Sequence, residues 1–345
     1  MTRIKSFPGL AYVAKLDHAV LLAGTRYMIA RDHIIHDEVA AYQDEPAAAL
    51  KYYRAAFWNN RKEVFFDFAL RPNQEIATGI NLMHEYSNNY FHFVAETLPR
   101  LVLADEAGLP DDLPFLVERQ LHENMLKLLE YANTSTRPVL FLESGTMYPV
   151  RTVYQPSDVT SVVDAYNGGP IARQSFLDVG RIRTAIDRCK ARFPIKAPGR
   201  KRKIYAGRSG KIRKLTNQVE LEYELARRGF EILRTDEFSL ETQIQIFRDA
   251  EIIIAPTGAQ ITNIVWADPG TRLIVLASDH PSHQLYLWEL LGRVSQAQVE
   301  FVIGPRAYVR DDRYSVHDDY SVNVQDVLTR LEDTQDIPTQ LDASA

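Results

Sequence analysis

Between residues 200 and 305 the chain alternates apolar runs with helical stretches so regularly that few folds remain open to it. Strands are predicted at Lys203 to Ala206, Phe230 to Leu233, Ile252 to Ala255, Arg272 to Leu276 and Val299 to Ile303. Helices are predicted between them at Gln218 to Arg228, Leu240 to Asp249, Ile261 to Ala267 and Ser282 to Leu291. Parallel strands need a crossover long enough to hold a helix, so this alternation implies a parallel sheet with helices on both faces. The punctuation agrees: Asn217 with Glu220 three residues on is a capping-box arrangement, and Gly229 stands where a left-handed stop is wanted. Such a sheet binds ligands outside the carboxyl ends of its strands, where loops run into helix N-termini.

Upstream the pattern is looser. Residues 1–80 alternate short apolar runs with turn formers, as in His18 to Ala30, and read as a β-rich start. Tyr90 to Asp105 carries Val94, Leu98, Leu101 and Val102 at helical spacing, with Pro99 expected to kink the helix. Strand-like runs at Leu113 to Val117, Val139 to Leu142 and Val150 to Tyr154, with helices at Glu123 to Tyr131 and Asp178 to Arg192, complete a first α/β lobe over 81–195. Phe193 to Gly199, with two prolines and a glycine, is the linker candidate. The second lobe then covers 200–305, and 306–345 is a C-terminal segment ending in a tail from Asp333.

Composition removes several classes. The single cysteine, Cys189, excludes an intrachain disulfide framework and a thiolate zinc site, and suits a reducing, cytoplasmic setting. No apolar run approaches the roughly 20 residues of a membrane span, so membrane association is expected to be peripheral at most. A net charge of −5 argues against duplex nucleic acid as partner. One local exception stands out: Arg200 to Lys214 holds eight basic residues and no acidic one.

That basic run includes the loop leaving the first strand of the second lobe, Gly207 to Asn217, where Arg208 and Arg213 can grip phosphate oxygens through planar paired hydrogen bonds. It is not a Walker A loop, because Ile212 stands where the magnesium-holding hydroxyl would be. The bland alternative is a solvated basic surface. A second loop, Ala255 to Asn263, joins a buried strand to a helix that begins with small residues, which lets a diphosphate approach backbone amides; the alternative is an ordinary turn. A third feature is His92, Glu96 and Arg100 at i, i+4 spacing, one stripe opposite the apolar face. A carboxylate beside an imidazole can serve as general base on a hydroxyl, whereas the bland reading is a surface ion pair. His280 and His283 lack a third ligand at motif spacing, and no Asp-x-Asp chelating motif occurs, so no metal is expected.

Taken in order, Asn89-Tyr90-Phe91-His92-Phe93 with Leu98-Pro99-Arg100, then Arg208 with Arg213 and Asn217, then Phe238 to Ile244, then Pro256-Thr257-Gly258-Ala259 with Asn263, resemble glycosyltransferase family 61, including members that serve capsular polysaccharide synthesis. The resemblance runs from about residue 80 to 280. It implies a GT-B fold of two facing Rossmann-like domains and an inverting enzyme; that no metal or cofactor is needed is expected instead from the basic run and the missing acidic motif. Its donor would be a nucleotide sugar such as a UDP-sugar and its acceptor an oligosaccharide or glycolipid. By position, Arg208 and Arg213 become diphosphate ligands, Asn217, Glu237 and Ser239 lie near the nucleoside, Thr257, Gly258 and Ala259 form the phosphate turn, Asn263 is a further donor-side residue, and His92, Glu96, Asn89 and Arg100 face the acceptor, with either His92 or Glu96 as base. One departure is Thr257, where many members carry histidine; a threonine can donate a hydrogen bond but holds no charge. Two rivals are weighed. A dehydrogenase lacks its Gly-x-Gly-x-x-Gly after any strand; a non-catalytic sugar-nucleotide or glycan binder would keep the phosphate loops alone.

Overall fold

The computed structural model describes residues 10–31, 33–35, 55–58, 63–66, 69–70, 74–160, 162, 175–193, 199, 201–210, 212–310 and 315–332. Residues 194–198 of the linker candidate, Lys211 and the tail from residue 333 lie outside them.

The first half supplies strands β1 (Val13–Leu22), β2 (Met28–Ala30), β3 (His33–Ile35), β4 (Ala55–Trp58), β5 (Glu63–Phe66), β6 (Ala69–Leu70), β7 (Ile76–Asn81), β8 (Phe115–Glu118), β9 (Val139–Leu142) and β10 (Thr146–Pro156). The main sheet runs β3-β2-β1-β10-β7-β8-β9, with β6 beside β10, and β4 and β5 pair as a separate hairpin. β10, β7, β8 and β9 are parallel, whereas β1, β2 and β3 are antiparallel additions. Strands β1, β2 and β3 of the β-rich start are therefore part of the first lobe's own sheet. That sheet bends sharply. Ala23, just past β1, bonds Thr146 at the start of β10, yet Arg26 three residues on reaches Asp158, beyond β10's far end. A straight strand of 11 residues would hold those ends roughly 35 Å apart.

A composite helix, α1 (residues 90–106), packs against β10, and α2 (Glu123–Ala132) and α3 (Val179–Arg192) pack against α1 and each other. The second half gives β11 (Arg202–Gly207), α4 (Gln218–Ala226), β12 (Glu231–Arg234), α5 (Leu240–Arg248), β13 (Ala250–Pro256), β14 (Arg272–Ser278), α6 (Tyr286–Ser295), β15 (Gln298–Gly304) and α7 (Val324–Glu332). All five strands are parallel, in the order β12-β11-β13-β14-β15. The helix expected over Ile261 to Ala267 is a 3-10 helix, Ala259–Trp266.

Side chains alternate strictly across this sheet. Ile204, Ala206, Ile253, Ala255, Leu273 and Val275 enter one core, while Tyr205, Ile254, Ile274 and Leu276 enter the other beneath α4 and α7. Both faces are buried, which is why the strands read as unbroken apolar runs. The first of these cores does not stop at the lobe boundary. It takes in Phe93, Leu98 and Leu101 of α1, Leu128 of α2 and Ile182, Ile186 and Cys189 of α3 as well. Phe193, expected in a linker, is buried against Tyr131 and Trp266. The two sheets thus share packing, and the cleft between them is held by a continuous apolar layer.

Candidate active site

Because strand order reverses between β11 and β13, the loops leaving those two strands splay apart and open a crevice at their carboxyl ends. Arg208 follows β11 and its Nη1 donates to the carbonyl of Thr257, which follows β13, at 3.1 Å. A cleft of about 500 Å³ lies there. Its second-lobe wall contains Arg208, Ser209, Glu237, Ser239, Ala259 and Asn263, and its first-lobe wall contains Asn88, Tyr90 and the start of α2 from His122 to Met125.

The donor-side residues expected from sequence divide into two groups. Arg208, Glu237, Ser239, Ala259 and Asn263 are brought together in the cleft. Burial lowers the proton affinity of the half-buried Arg208 guanidinium. Ser239 also caps α5, its Oγ accepting from Thr242 N–H. Two residues after Gly258, the Gln260 side chain folds back to the Pro256 carbonyl, and a Cβ on Gly258 would require that side chain to shift.

The other group is used elsewhere. Asn217 forms no capping box: its amide donates to Val322 O and accepts from Val322 N–H, clamping the C-terminal segment. Arg213 is a left-handed residue with φ 53° whose N–H donates to His317 O, and it is absent from the cleft wall. Thr257 is buried with its N–H donating to Leu276 O at 2.8 Å, so that amide is engaged in the sheet. His280 and His283 are likewise structural, tying the loop after β14 to Ser315 and Val316.

The acceptor-side stripe sits on α1, which begins as an α-turn (Tyr90–His92), widens into a π-helical stretch (Phe93–Thr97) and continues as an α-helix (Leu98–Glu106). Pro99 explains the widening. It has no N–H to give and its ring would strike the carbonyl four residues back, so the chain expands and Leu98 N–H donates to Phe93 O, five residues back. The expected kink is thus realised as a π-turn. Asn89 is the N-cap, accepting from Phe91 N–H, and its neighbour Asn88 faces the cleft instead.

The expectation that His92, Glu96 and Arg100 share an exposed stripe is corrected by burial. Only His92 reaches the surface, its side chain 13% exposed against 2% for Glu96. Arg100 is fully buried and donates to the carbonyls of Met83 and Asn81, stitching α1 to the end of β7. His92 Nδ1 lies 2.6 Å from Glu96 Oε2. His84 Nε2 meets the same oxygen at 3.2 Å, and the other oxygen, Oε1, accepts from Val162 N–H at 3.1 Å. Burial alone would raise the Glu96 carboxyl, but His84, His92 and Arg26 bring it down to about 2. His84 is pushed down to about 3 by burial and then by Arg26, so its ring is neutral. Its Nδ1 accepts from Tyr86 N–H, and its Nε2 stands between Glu96 Oε2 and the Arg26 guanidinium.

Sequence reasoning missed this outer ring. Arg26, from the turn after β1, donates to Glu85 Oε2 and Asp158 Oδ2, each at 2.8 Å, and touches His84. His84 and Glu85 lie three and four residues past the end of β7, so the carboxyl-end rule for parallel strands would have flagged them; Arg26 carries no local signal. Among the described residues, His84, His92 and Glu96 bring ligand-type atoms within 4.8 Å of one another, a spacing that a cation could use. The Arg26 guanidinium also lies against His84 there.

The helix that carries His92 and Glu96 also contributes to the cleft wall, through Tyr90. Tyr90 Oη donates to Asn263 Oδ1 at 3.0 Å and accepts from Trp266 Nε1–H at 2.9 Å, so one side chain joins the two lobes. No helix among the described residues is long and apolar enough to cross a membrane. No curated protein matches the sequence. The profile of the family described as Glycosyltransferase 61 matches residues 90–274, from the first residue of α1 into β14, and with more than half its length covered the chain belongs to glycosyltransferase family 61.

Proposed function

We propose that this glycosyltransferase moves a sugar from a nucleoside diphosphate donor of the UDP-sugar type to a glycan hydroxyl, with inversion, across the cleft of a GT-B-like pair of lobes. His92 is the base and Glu96 its orienting partner. The observation that carries this choice is the 2.6 Å contact between His92 Nδ1 and a carboxylate only 2% exposed. Glu96 has both oxygens engaged and little access to an acceptor, whereas a ring whose Nδ1–H is held by a carboxylate presents a basic Nε2. In this reading Nε2 takes the acceptor's hydroxyl proton and the oxygen attacks the anomeric carbon. The bond from that carbon to the diphosphate oxygen breaks, and the leaving diphosphate keeps the electron pair.

Arg208 supplies the charge that receives the diphosphate, and the Gly258-Ala259 turn lets it approach the backbone. The exposed carboxylate of Glu237, beyond the end of β12, suits the ribose hydroxyls. Fixed protein charge does the work of a metal, and the protein acts in the cytoplasm in capsular or extracellular polysaccharide synthesis. The test is transfer or donor hydrolysis over a panel of nucleotide sugars, in the presence of a chelator, by the native chain and its His92→Gln variant. Turnover lost in the variant while nucleotide diphosphate binding persists is the expected result. Tight binding with no turnover by the native chain would favour the non-catalytic binder.

A further inference from the structure

The first lobe contributes more to the cleft than α1. The first turn of α2 places His122, Glu123 and Asn124 in the wall that faces Glu237 and Ser239. A contact between the lobes fixes where that turn lies: Lys127 Nζ donates to Glu241 Oε1 at 2.8 Å, two residues past the Ser239 cap of α5. Asn124 precedes Lys127 by three residues, so the two share one side of α2. The turn is thereby directed to the end of the cleft formed by the loop after β12.

One side chain of this turn is left without a role in the fold. The His122 ring caps α2 by accepting from Asn124 N–H at 3.2 Å, and Met125 and Leu126 N–H both donate to the His122 carbonyl. The Asn124 amide takes no part in the cap. It belongs to the cleft wall, is only 8% exposed, and its Oδ1 is buried with no hydrogen-bond partner. An unpaired buried oxygen is costly, so for folding alone an apolar side chain would serve better there. Charge indicates which part of a ligand it meets. Glu123 beside Asn124 and Glu237 opposite are exposed carboxylates, whereas the guanidinium in the cleft wall is Arg208. A diphosphate is repelled by the first two and drawn to the third, which turns the uncharged base of a nucleotide toward α2. Half-buried Phe238 lines the same cleft and adds an aromatic side chain to it.

We infer that Asn124 reads the base of the donor nucleotide from the first lobe, its Oδ1 accepting the N3–H of a uracil ring and its N–H donating to a neighbouring ring carbonyl. An amide carries one acceptor and a donor side by side, which matches that edge of the base. It turns easily about its last bond, so it can present this pair to the cleft. The inference rests on the reading of the donor as a UDP-sugar and adds that both lobes grip the nucleotide.

The test is isothermal titration calorimetry of UDP, and of N3-methyl-UDP, which lacks the N3–H, on the full chain and its Asn124→Ala variant. UDP is expected to bind the variant on the order of 10-fold more weakly. N3-methylation is expected to weaken binding by a similar factor in the native chain and to change little in the variant, because the partner is already gone. Unchanged UDP affinity in the variant overturns the inference. So does a methylation penalty that persists undiminished in it, since a cleft that had only been loosened would still sense the missing N3–H. Alanine removes an unpaired group and suits a helix; should that variant not fold, Asn124→Ser, whose side chain is also too short to reach the base, carries the same comparison. A native chain that binds UDP but transfers no sugar would sink the proposed enzyme and leave this comparison readable. One that binds no UDP overturns both.

Discussion

The Tyr90 hydroxyl offers the sharpest test of how the lobes are joined. It donates to Asn263 Oδ1 at 3.0 Å and accepts from Trp266 Nε1–H at 2.9 Å, and both partners are closed to water, Asn263 at 1% exposure and Trp266 at 0%. Tyr90→Phe keeps the ring and its packing but leaves a buried indole N–H and a buried amide oxygen without their partner at once. Asn263 retains only the bond from its Nδ2 to Gln243 Oε1. Each orphaned group costs about 1 to 3 kcal/mol. The hydroxyl itself no longer needs to be desolvated, which offsets part of that, so the net loss is roughly 3 kcal/mol. Unfolding entropy of about 2.1 cal/mol/K per residue gives a chain of 345 residues a slope near 0.7 kcal/mol/K. The expected fall in Tm is therefore about 4 °C, measured by differential scanning calorimetry on the two proteins side by side. A fall under about 1 °C would refute the reasoning, since it would mean that water reaches these groups and the lobe contact is looser than the geometry states.

Two further outcomes follow from the same charges. His84 is held down to about 3, and His283 and His317 to about 4, burial being the first cause in each, so all three are neutral in the folded chain. Unfolding returns them toward 6.5, so below that pH the unfolded chain binds protons the native chain does not, and stability falls as pH drops toward 4. Thermal melts should lose Tm steadily between pH 7 and 5, before carboxylates titrate; a flat profile there would contradict neutral burial. Arg208→Ala removes the cation that bridges the β11 and β13 loops and should lower turnover on the order of 100-fold to 1000-fold, by analogy with loss of one oxyanion donor. Near-normal turnover in that variant would remove Arg208 from the diphosphate site.

How much of this was legible in the sequence depends on how far apart the interacting residues lie. The five strands of the second sheet could be read because burial on both faces leaves a continuous apolar run, a local signature. Arg208 and Ala259 could be placed because the carboxyl-end rule converts strand positions into a candidate site, whereas Glu237 and Ser239 were implied by the family resemblance alone. Asn217 could not. Its capping-box spacing is a local pattern, but Val322, 105 positions away, offers both of its backbone groups and takes the amide from the helix. The backbone N–H of Arg213 is tied to His317, 104 positions away, and Arg26 enters the site across 58 positions from His84.

The choice between His92 and Glu96 shows why spacing alone was not enough. At i and i+4 the two residues are equivalent on an ideal helix, and nothing in the spacing says which is buried. Pro99 breaks the equivalence. The π-turn it imposes adds a residue to the turn that holds Glu96, and in the folded chain that carboxylate is sunk between His84 and the Val162 N–H while His92 stays at the rim. The residue that looked like a helix defect is thus the one associated with the separation of an orienting carboxylate from a reachable imidazole. Its effect is legible only once the turn has been built, because the missing N–H can be relieved by a kink, a break or a widening, and only the last gives this arrangement.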